Sequence, residues 1–332
     1  QVFRCVPVVF KIPRMSVVSV TGANGFIASH IVAQLLNKGH TVRAAVRNPE
    51  GASASHLLKL PGSENLKLFK ASLQDEASYD AAIEGSACVF HTASPIGVEN
   101  SQDGEKDYIA PAVEGVANVM RSIARTPSVK FVVMTSSMSA IAPHPAPDVK
   151  SEEQWSDPDG QRSRGSWYGA SKTLAERTAT EAIASMPEAS RPQFAAICPT
   201  MVWGPMLQGG VNATMKYLVN IATGKWPAKV PNDSMSLIDV RDCAAHHIAA
   251  FEQRKEGRFM SLAASWHWKD IFAAVQAVYP SMPSPAPLDE GEVPATPTQF
   301  DITRMRSLGF QERSMDVIIA ESVEYLRACG EL

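Results

Sequence analysis

From residue 15 to about residue 197, short β-branched apolar runs alternate with longer stretches whose apolar residues recur at helical spacing. The runs are VVSV (17–20), TVRAAV (41–46), LKLFKA (66–71), ACVFHT (87–92), KFVVMT (130–135) and FAAIC (194–198). Their nearly continuous apolar character predicts strands buried on both faces. Residues 25–38, 53–60, 76–84, 106–125 and 166–185 read as the helices between them, and Gly39 is placed to end the first. Strand–helix alternation of this kind implies right-handed crossovers and an α/β, doubly wound parallel sheet.

After Pro199 the rhythm breaks, with Gly204, Pro205, Gly209, Gly210, Gly224 and Pro227 between short segments. A strand-then-helix pattern returns at 235–252, six prolines mark 280–297 as loop, and a last helix is expected at 314–328. The expected division is a nucleotide-binding domain over 15–198 and 235–262, and a smaller C-terminal substrate-binding lobe over 199–234 and 263–332. That lobe would lie over the carboxyl edge of the sheet, where ligands bind in open α/β folds. Residues 1–14 (QVFRCVPVVFKIPR) read as a tail before Met15. A targeting segment competes, because Arg4, Lys11 and Arg14 are basic, but Pro7 breaks its short apolar patch.

Charge and cysteine usage narrow the class. The 332 residues carry 31 Lys+Arg against 34 Asp+Glu, a net charge of −3, so no basic excess points to nucleic acid or an acidic membrane. No apolar run approaches the roughly 20 residues needed to span a bilayer. Five scattered cysteines without a C-x-x-C pair favour a reducing compartment, the cytoplasm, over a disulfide scaffold.

The first strand runs into Thr21-Gly22-Ala23-Asn24-Gly25-Phe26-Ile27-Ala28. Gly22 suits a tight turn, and Gly25 lets backbone approach a pyrophosphate that the following helix N-terminus attracts. The spacing, G-x-x-G-x-x-A, differs from the plain dinucleotide fingerprint, and its meaning rests on its place between strand and helix. The second strand ends Val46-Arg47-Asn48, with no carboxylate at its tip. Arg47 is suited to a 2′-phosphate, which favours NADP(H) over NAD(H).

Of six tyrosines, only Tyr168 has a lysine four residues on, Lys172, in WYGASKTLAER. On a helix the two share a face. Hydride delivery to a carbonyl leaves a developing alkoxide that needs a proton. A phenol of pKa ~10 supplies it near neutral pH only if its anion is stabilised, as an adjacent ammonium does. The fifth strand ends Thr135-Ser136-Ser137, where a hydroxyl faces the ligand crevice, and Ser137 is the preferred partner for a substrate oxygen.

The segments TGANGFIA, VRAAVRNPE, VFHTASP, VVMTSS, WYGASK and ICPTMVWGP, in this order, resemble the extended short-chain dehydrogenases/reductases. Within that group the chain is most similar to dihydroflavonol 4-reductase and cinnamoyl-CoA reductase relatives, especially fungal-type aldehyde and ketone reductases. The resemblance covers about residues 16–330. It implies a Rossmann-type sheet and NADPH-dependent carbonyl reduction, with Ser137, Tyr168 and Lys172 as catalytic residues. The implied cofactor set is Gly22, Asn24, Gly25, Phe26, Ile27, Arg47, Leu73, Thr92, Ala93, Ser94, Thr135, Ser136, Tyr168, Lys172, Pro199, Thr200 and Val202. Ala28 stands where glycine is usual, and Ser72 where an acidic residue often faces the adenine.

The expected partner is a small aldehyde or ketone bound between cofactor and C-terminal lobe, in a monomer or homodimer. Candidate wall residues are Ser94, Ile96, Met138, Met201, Trp203 and Met206; each could equally be core. Residues 143–165 read as a flap or a surface loop. Asp239, Asp242, Cys243, His246 and His247 crowd one stretch, but adjacent histidines leave a helix on different faces, so no metal site is expected. The competing functions are a steroid- or sugar-type dehydrogenase or epimerase, and a non-catalytic NADP(H) sensor.

Overall fold

Val18, Val20, Val42, Ala44, Phe90 and Val133 have no exposed surface, as residues of strands covered on both faces must. The structure, a computed structural model, describes residues 15–95 and 101–332. The expected tail over 1–14 therefore lies outside the described residues.

In chain order, β1 (Val17–Thr21) enters α1 (Phe26–Asn37), followed by β2 (Thr41–Val46), β3 (Leu66–Lys70), α2 (Asp80–Ile83), β4 (Cys88–His91), α3 (Ala110–Ala124) and β5 (Phe131–Thr135). Next come β6 (Val149–Lys150), α4 (Pro158–Ser163), α5 (Trp167–Ser185), β7 (Gln193–Pro199), β8 (Met201–Trp203), α6 (Ala213–Ala222) and β9 (Ser234–Asp239). The last elements are α7 (Val240–Glu252), β10 (Gly257–Ser261), β11 (Ala264–His267), α8 (Trp268–Val278), β12 (Gln299–Phe300), α9 (Thr303–Arg306) and α10 (Met315–Ala328).

Seven strands pair in parallel in the order β10-β7-β5-β4-β1-β2-β3, the Rossmann-type doubly wound arrangement. The strand order reverses between β1 and β4, and this opens a crevice at their carboxyl ends. Ile31 and Leu35 of α1 and Ala244 and Ile248 of α7 cover one face, in a core with Val20 and Phe90. Val116 and Met120 of α3 and Ala175 and Ile183 of α5 cover the other, against Val89 and Val132.

A second sheet has β9 between parallel β8 and antiparallel β11. Met215, Leu218, Ile271, Phe272, Ile318 and Val323 from α6, α8 and α10 form its core. Two groups of α1 tie this lobe to the glycine turn. Phe26 packs against its core, and His30 Nε2 donates to Pro205 O at 2.9 Å.

Four segments depart from the sequence reading. Residues 53–60 form two 3-10 turns, because Ser55 Oγ donates to Ala52 O (2.8 Å) and competes with helix continuation. In 76–84 only Asp80–Ile83 is helical, since Ala77 takes φ +66. The helix expected from 106 starts as a π turn, Glu105–Ile109, where Pro111 lacks the N–H that a continuous ladder would need. Finally β9 pairs in the small sheet, and only α7 and β10 of 235–262 join the large one.

The segment 143–165 is anchored rather than free. β6 pairs with β12, and Glu152 Oε1 accepts from Met260 N at 3.1 Å.

Gly204 turns the chain out of β8 with φ +136, and a Cβ there would stand 2.8 Å from Val240 Cγ1. Gly204→Ala is expected to cost about 2 kcal/mol of stability, read by urea unfolding at neutral pH. An unchanged midpoint and slope would refute this.

Candidate active site

Thr21 closes β1 with a buried hydroxyl that accepts from Thr92 N (3.1 Å) and Ala93 N (3.0 Å). Its own proton is thus left for His91 Nδ1, at 3.0 Å. That assignment needs a neutral imidazole. Burial, with the Lys172 charge nearby, pushes the His91 pKa down to about 3. Thr92 Oγ1 donates back to Thr21 O. The exits of β1 and β4 are therefore stitched together, and Gly22 lies against Ala93. A Cβ on Gly22, which has φ +60, would meet Ala93 Cα at 2.9 Å.

Gly25 caps α1 without a side-chain acceptor, and the first turn holds no acidic residue. The leading N–H groups, with Phe26 and Ile27 in that turn, are suited to an anion. Asn24 Nδ2 donates to Ser53 O and Oγ, both at 3.3 Å, and so brings the loop after β2 to the glycine turn. Arg47, exposed at the tip of β2, has no carboxylate partner among the described residues. Arg43 differs, since it donates to Ala81 O and Ala82 O and lies over the Phe69 ring at 4.4 Å. Leu73 packs on Gly115, and its carbonyl accepts from Asn118 Nδ2 at 2.7 Å. These features fit a dinucleotide whose phosphates lie on α1 and whose ribose carries a further phosphate.

On α5, Tyr168 is 53% exposed, whereas Lys172, one turn on, is 5% exposed. Lys172 Nζ donates to Thr135 O at 3.0 Å. The Thr135 hydroxyl is held from the opposite face of the sheet: it donates to His247 Nε2 (2.7 Å), whose Nδ1 donates to Cys243 O (2.7 Å). Burial lowers the His247 pKa to about 4, which keeps that ring an acceptor. Trp167 lies so close over Gly104 that any Cβ at 104 would overlap its ring.

The two serines after β5 separate. Ser136 Oγ donates to the buried Glu176 of α5, so its hydroxyl points into the sheet–helix interior and not to a cofactor as expected. Ser137, in extended backbone (φ −159, ψ 152), accepts from Ser139 N at 3.1 Å. Glu176 was not among the candidates, although it continues the four-residue spacing of Tyr168 and Lys172.

Thr200 N donates to Ser261 O at 3.1 Å, Pro199 and Val202 are buried, and Ser94 is exposed. Of the wall candidates, Met138 and Met201 are half-buried and Met206 is 7% exposed. Trp203 is corrected: it has no exposed surface and its indole donates to Thr214 O at 3.0 Å, so it belongs to the lobe's core. Ile96 lies outside the described residues. The crowded acidic and histidine stretch is taken up by internal pairs: Asp239 with Arg241, Asp242 with Arg313, and His246 with Ser261 and Glu312.

His91 and His247 both have folded pKa values below the ordinary 6.5. On acidification the unfolded chain takes up their protons first. Stability is therefore full above about pH 6.5 and falls as the pH drops towards their folded values. Between pH 7 and 5, His247 alone is expected to account for about 2 kcal/mol of that loss. Urea melts at both pH values should show His247→Gln losing less than the parent by this margin; equal losses would refute the assignment.

Residues 18–263 match the NAD dependent epimerase/dehydratase family. The chain is 36% identical over 319 residues to cinnamoyl-CoA reductase CAD2 of Medicago truncatula, covering 94% of this chain and 96% of the relative. It is 34% identical to tetraketide alpha-pyrone reductase 2 of Arabidopsis thaliana, over 89% of this chain and 93% of that one. Among solved structures it is similar to yeast methylglyoxal/isovaleraldehyde reductase Gre2 complexed with NADPH. That match has a TM-score of 0.81 and 25% identity over 95% of this chain and 100% of the other. No helix of the described residues is long and apolar enough to cross a membrane. The chain belongs to the NAD dependent epimerase/dehydratase family, among the extended short-chain dehydrogenases/reductases that include the cinnamoyl-CoA reductases.

Proposed function

We propose that the chain is an NADPH-dependent reductase that acts on the carbonyl of a small aldehyde or ketone, with Tyr168 as general acid. The observation that carries this reading is the buried Lys172 ammonium, pinned to Thr135 O at 3.0 Å one helical turn from the accessible Tyr168. The reduced nicotinamide, when bound, supplies the hydride. Tyr168 passes its phenolic proton to the oxygen that gains charge, and Lys172 stabilises the phenolate left behind. Ser137 donates a hydrogen bond to the same oxygen. The glycine turn, Gly22 to Ile27, holds the pyrophosphate, Arg47 the 2′-phosphate, and Leu73, Thr92, Ala93, Ser94, Pro199, Thr200 and Val202 the remaining cofactor surface.

Met138, Met201 and Met206 are proposed as walls, with Ser94 as a polar anchor. We divide the chain into a cofactor domain built on the large sheet and a substrate lobe built on the small one. A small free carbonyl is supported by the yeast neighbour, which is named for methylglyoxal and isovaleraldehyde. The scattered thiols, three of them buried, support a cytoplasmic setting.

Oxidation of NADPH and of NADH should be followed with small aldehydes and ketones and with a cinnamoyl-CoA thioester. Turnover of the free carbonyls with NADPH well above NADH is expected; turnover of the thioester alone would overturn the substrate assignment. Tyr168→Phe is expected to lower kcat by about 10³-fold while NADPH still binds in a fluorescence titration. Full activity in that variant would end the Tyr168 mechanism. Arg47→Ala should raise KM for NADPH roughly 10- to 100-fold and leave NADH unchanged. A parallel change for both cofactors would sink the phosphate contact.

A further inference from the structure

Glu176 has no exposed surface, yet α5 carries it one turn beyond Lys172 in the row that begins with Tyr168. A carboxylate so placed persists only when paired and fully hydrogen-bonded. Arg258 of β10 supplies the pairing: Nε donates to Oε1 at 2.5 Å and Nη2 to Oε2 at 3.3 Å. The other donors reach main-chain carbonyls, Nη2 to Ala140 O and Nη1 to Glu152 O, both at 3.0 Å, with a further bond from Nη1 to Gln154 O. All five guanidinium N–H groups are used. Trp155 stacks on the same group, its ring centre 3.8 Å from the guanidinium carbon.

One ion pair, its carboxylate fully buried, therefore grips both ends of the 140–155 segment. One end is the turn after Ser137, and the other leads into α4 and α5. The second oxygen of Glu176 also accepts from Ser136. In extended backbone, successive side chains point to opposite sides. Drawing Ser136 into the sheet–helix interior thus places Ser137, itself 7% exposed, on the other side of the chain.

We propose that Glu176, fixed by Arg258, is a positioning residue: by holding the Ser136 hydroxyl it aims the Ser137 hydroxyl at the crevice beside the Tyr168–Lys172 row. The inference rests on the reductase reading, in which Ser137 bonds the substrate oxygen. A merely structural pair would hold the fold with no particular effect on Ser137.

The test is a double-mutant cycle of Ser136→Ala and Ser137→Ala, with Ser136→Thr as the conservative rescue. Ser136→Ala is expected to lower kcat about tenfold with KM for NADPH unchanged, and to add nothing once Ser137 is alanine. Ser136→Thr, which keeps the hydroxyl, should restore most of the rate. Equal losses in both backgrounds, or none in either, would overturn the proposal. Glu176→Gln should reproduce the Ser136→Ala kinetics, and the serine cycle decides alone if that variant does not fold. A crystal structure of Ser136→Ala with NADP⁺ gives an arm independent of turnover. Ser137 Oγ is expected to leave its bond from Ser139 N, and an unmoved Ser137 would overturn the idea. If the parent protein reduces no carbonyl, the reductase reading fails, and the crystal arm still decides on positioning.

Discussion

A lysine ammonium withdrawn from water is the constraint around which this crevice is organised. Lys172 has almost no exposed surface, so it must be fixed by protein acceptors, and Thr135 O takes one of its three donors. That carbonyl can serve only if the tip of β5 cannot move. The tip is held from both faces of the sheet: His247 of α7 takes the Thr135 hydroxyl, and Glu176 of α5 takes that of Ser136. Helices on opposite faces of the sheet thereby fix consecutive residues of one strand end. Neutral His247 is part of the same logic, because a protonated ring could not accept from Thr135.

The cofactor side is built differently, from backbone. Thr21 spends its hydroxyl on the amides of Thr92 and Ala93, which pulls the β4 exit against Gly22 until no Cβ fits between them. In the proposed reading, fixed charge for the 2′-phosphate enters at the edge, through Arg47. The small lobe is joined to this frame through α1 itself, by Phe26 in its first turn and His30 one turn later. One helix thus carries both the glycine turn at its N-terminus and the contacts to the small lobe.

Local signals in the sequence were enough for the frame. Apolar runs marked the six strands of the large sheet read from 17 to 198; most are covered on both faces and show no polar face, whereas β3, expected to be buried on both faces, is an edge strand with Lys67 and Lys70 exposed. The glycine turn and the Tyr168/Lys172 spacing were equally local. What failed depended on distant partners or on competition within a turn. Arg258 and Glu176 are 82 residues apart in sequence, and no local spacing relates them. Ser136 and Ser137 have the same chemistry, and only the packing of α5 tells which one is turned inward. Trp203 lies between glycine, proline and methionine as a pocket residue would, but α6 closes over it. The strand at 234–239 has the composition of either sheet, and its membership is set by β8 and β11 alone.

The contrast between machinery and walls also bears on why similar chains reduce such different carbonyls. Lys172, Ser136 and Glu176 are buried, Thr135 and Arg258 half-buried, and all five are tied to one another or to main chain, so changing any one disturbs several others. The proposed walls include three methionines, whose unbranched thioethers adapt to irregular shapes with little directional demand. In the proposed reading, variation there would alter which carbonyl fits without touching the proton donor. On that reading, reaction type is carried by the sheet and α5, and substrate choice by residues of the small lobe together with the turns after β4 and β5, as expected where function resides in sites grafted on a shared fold.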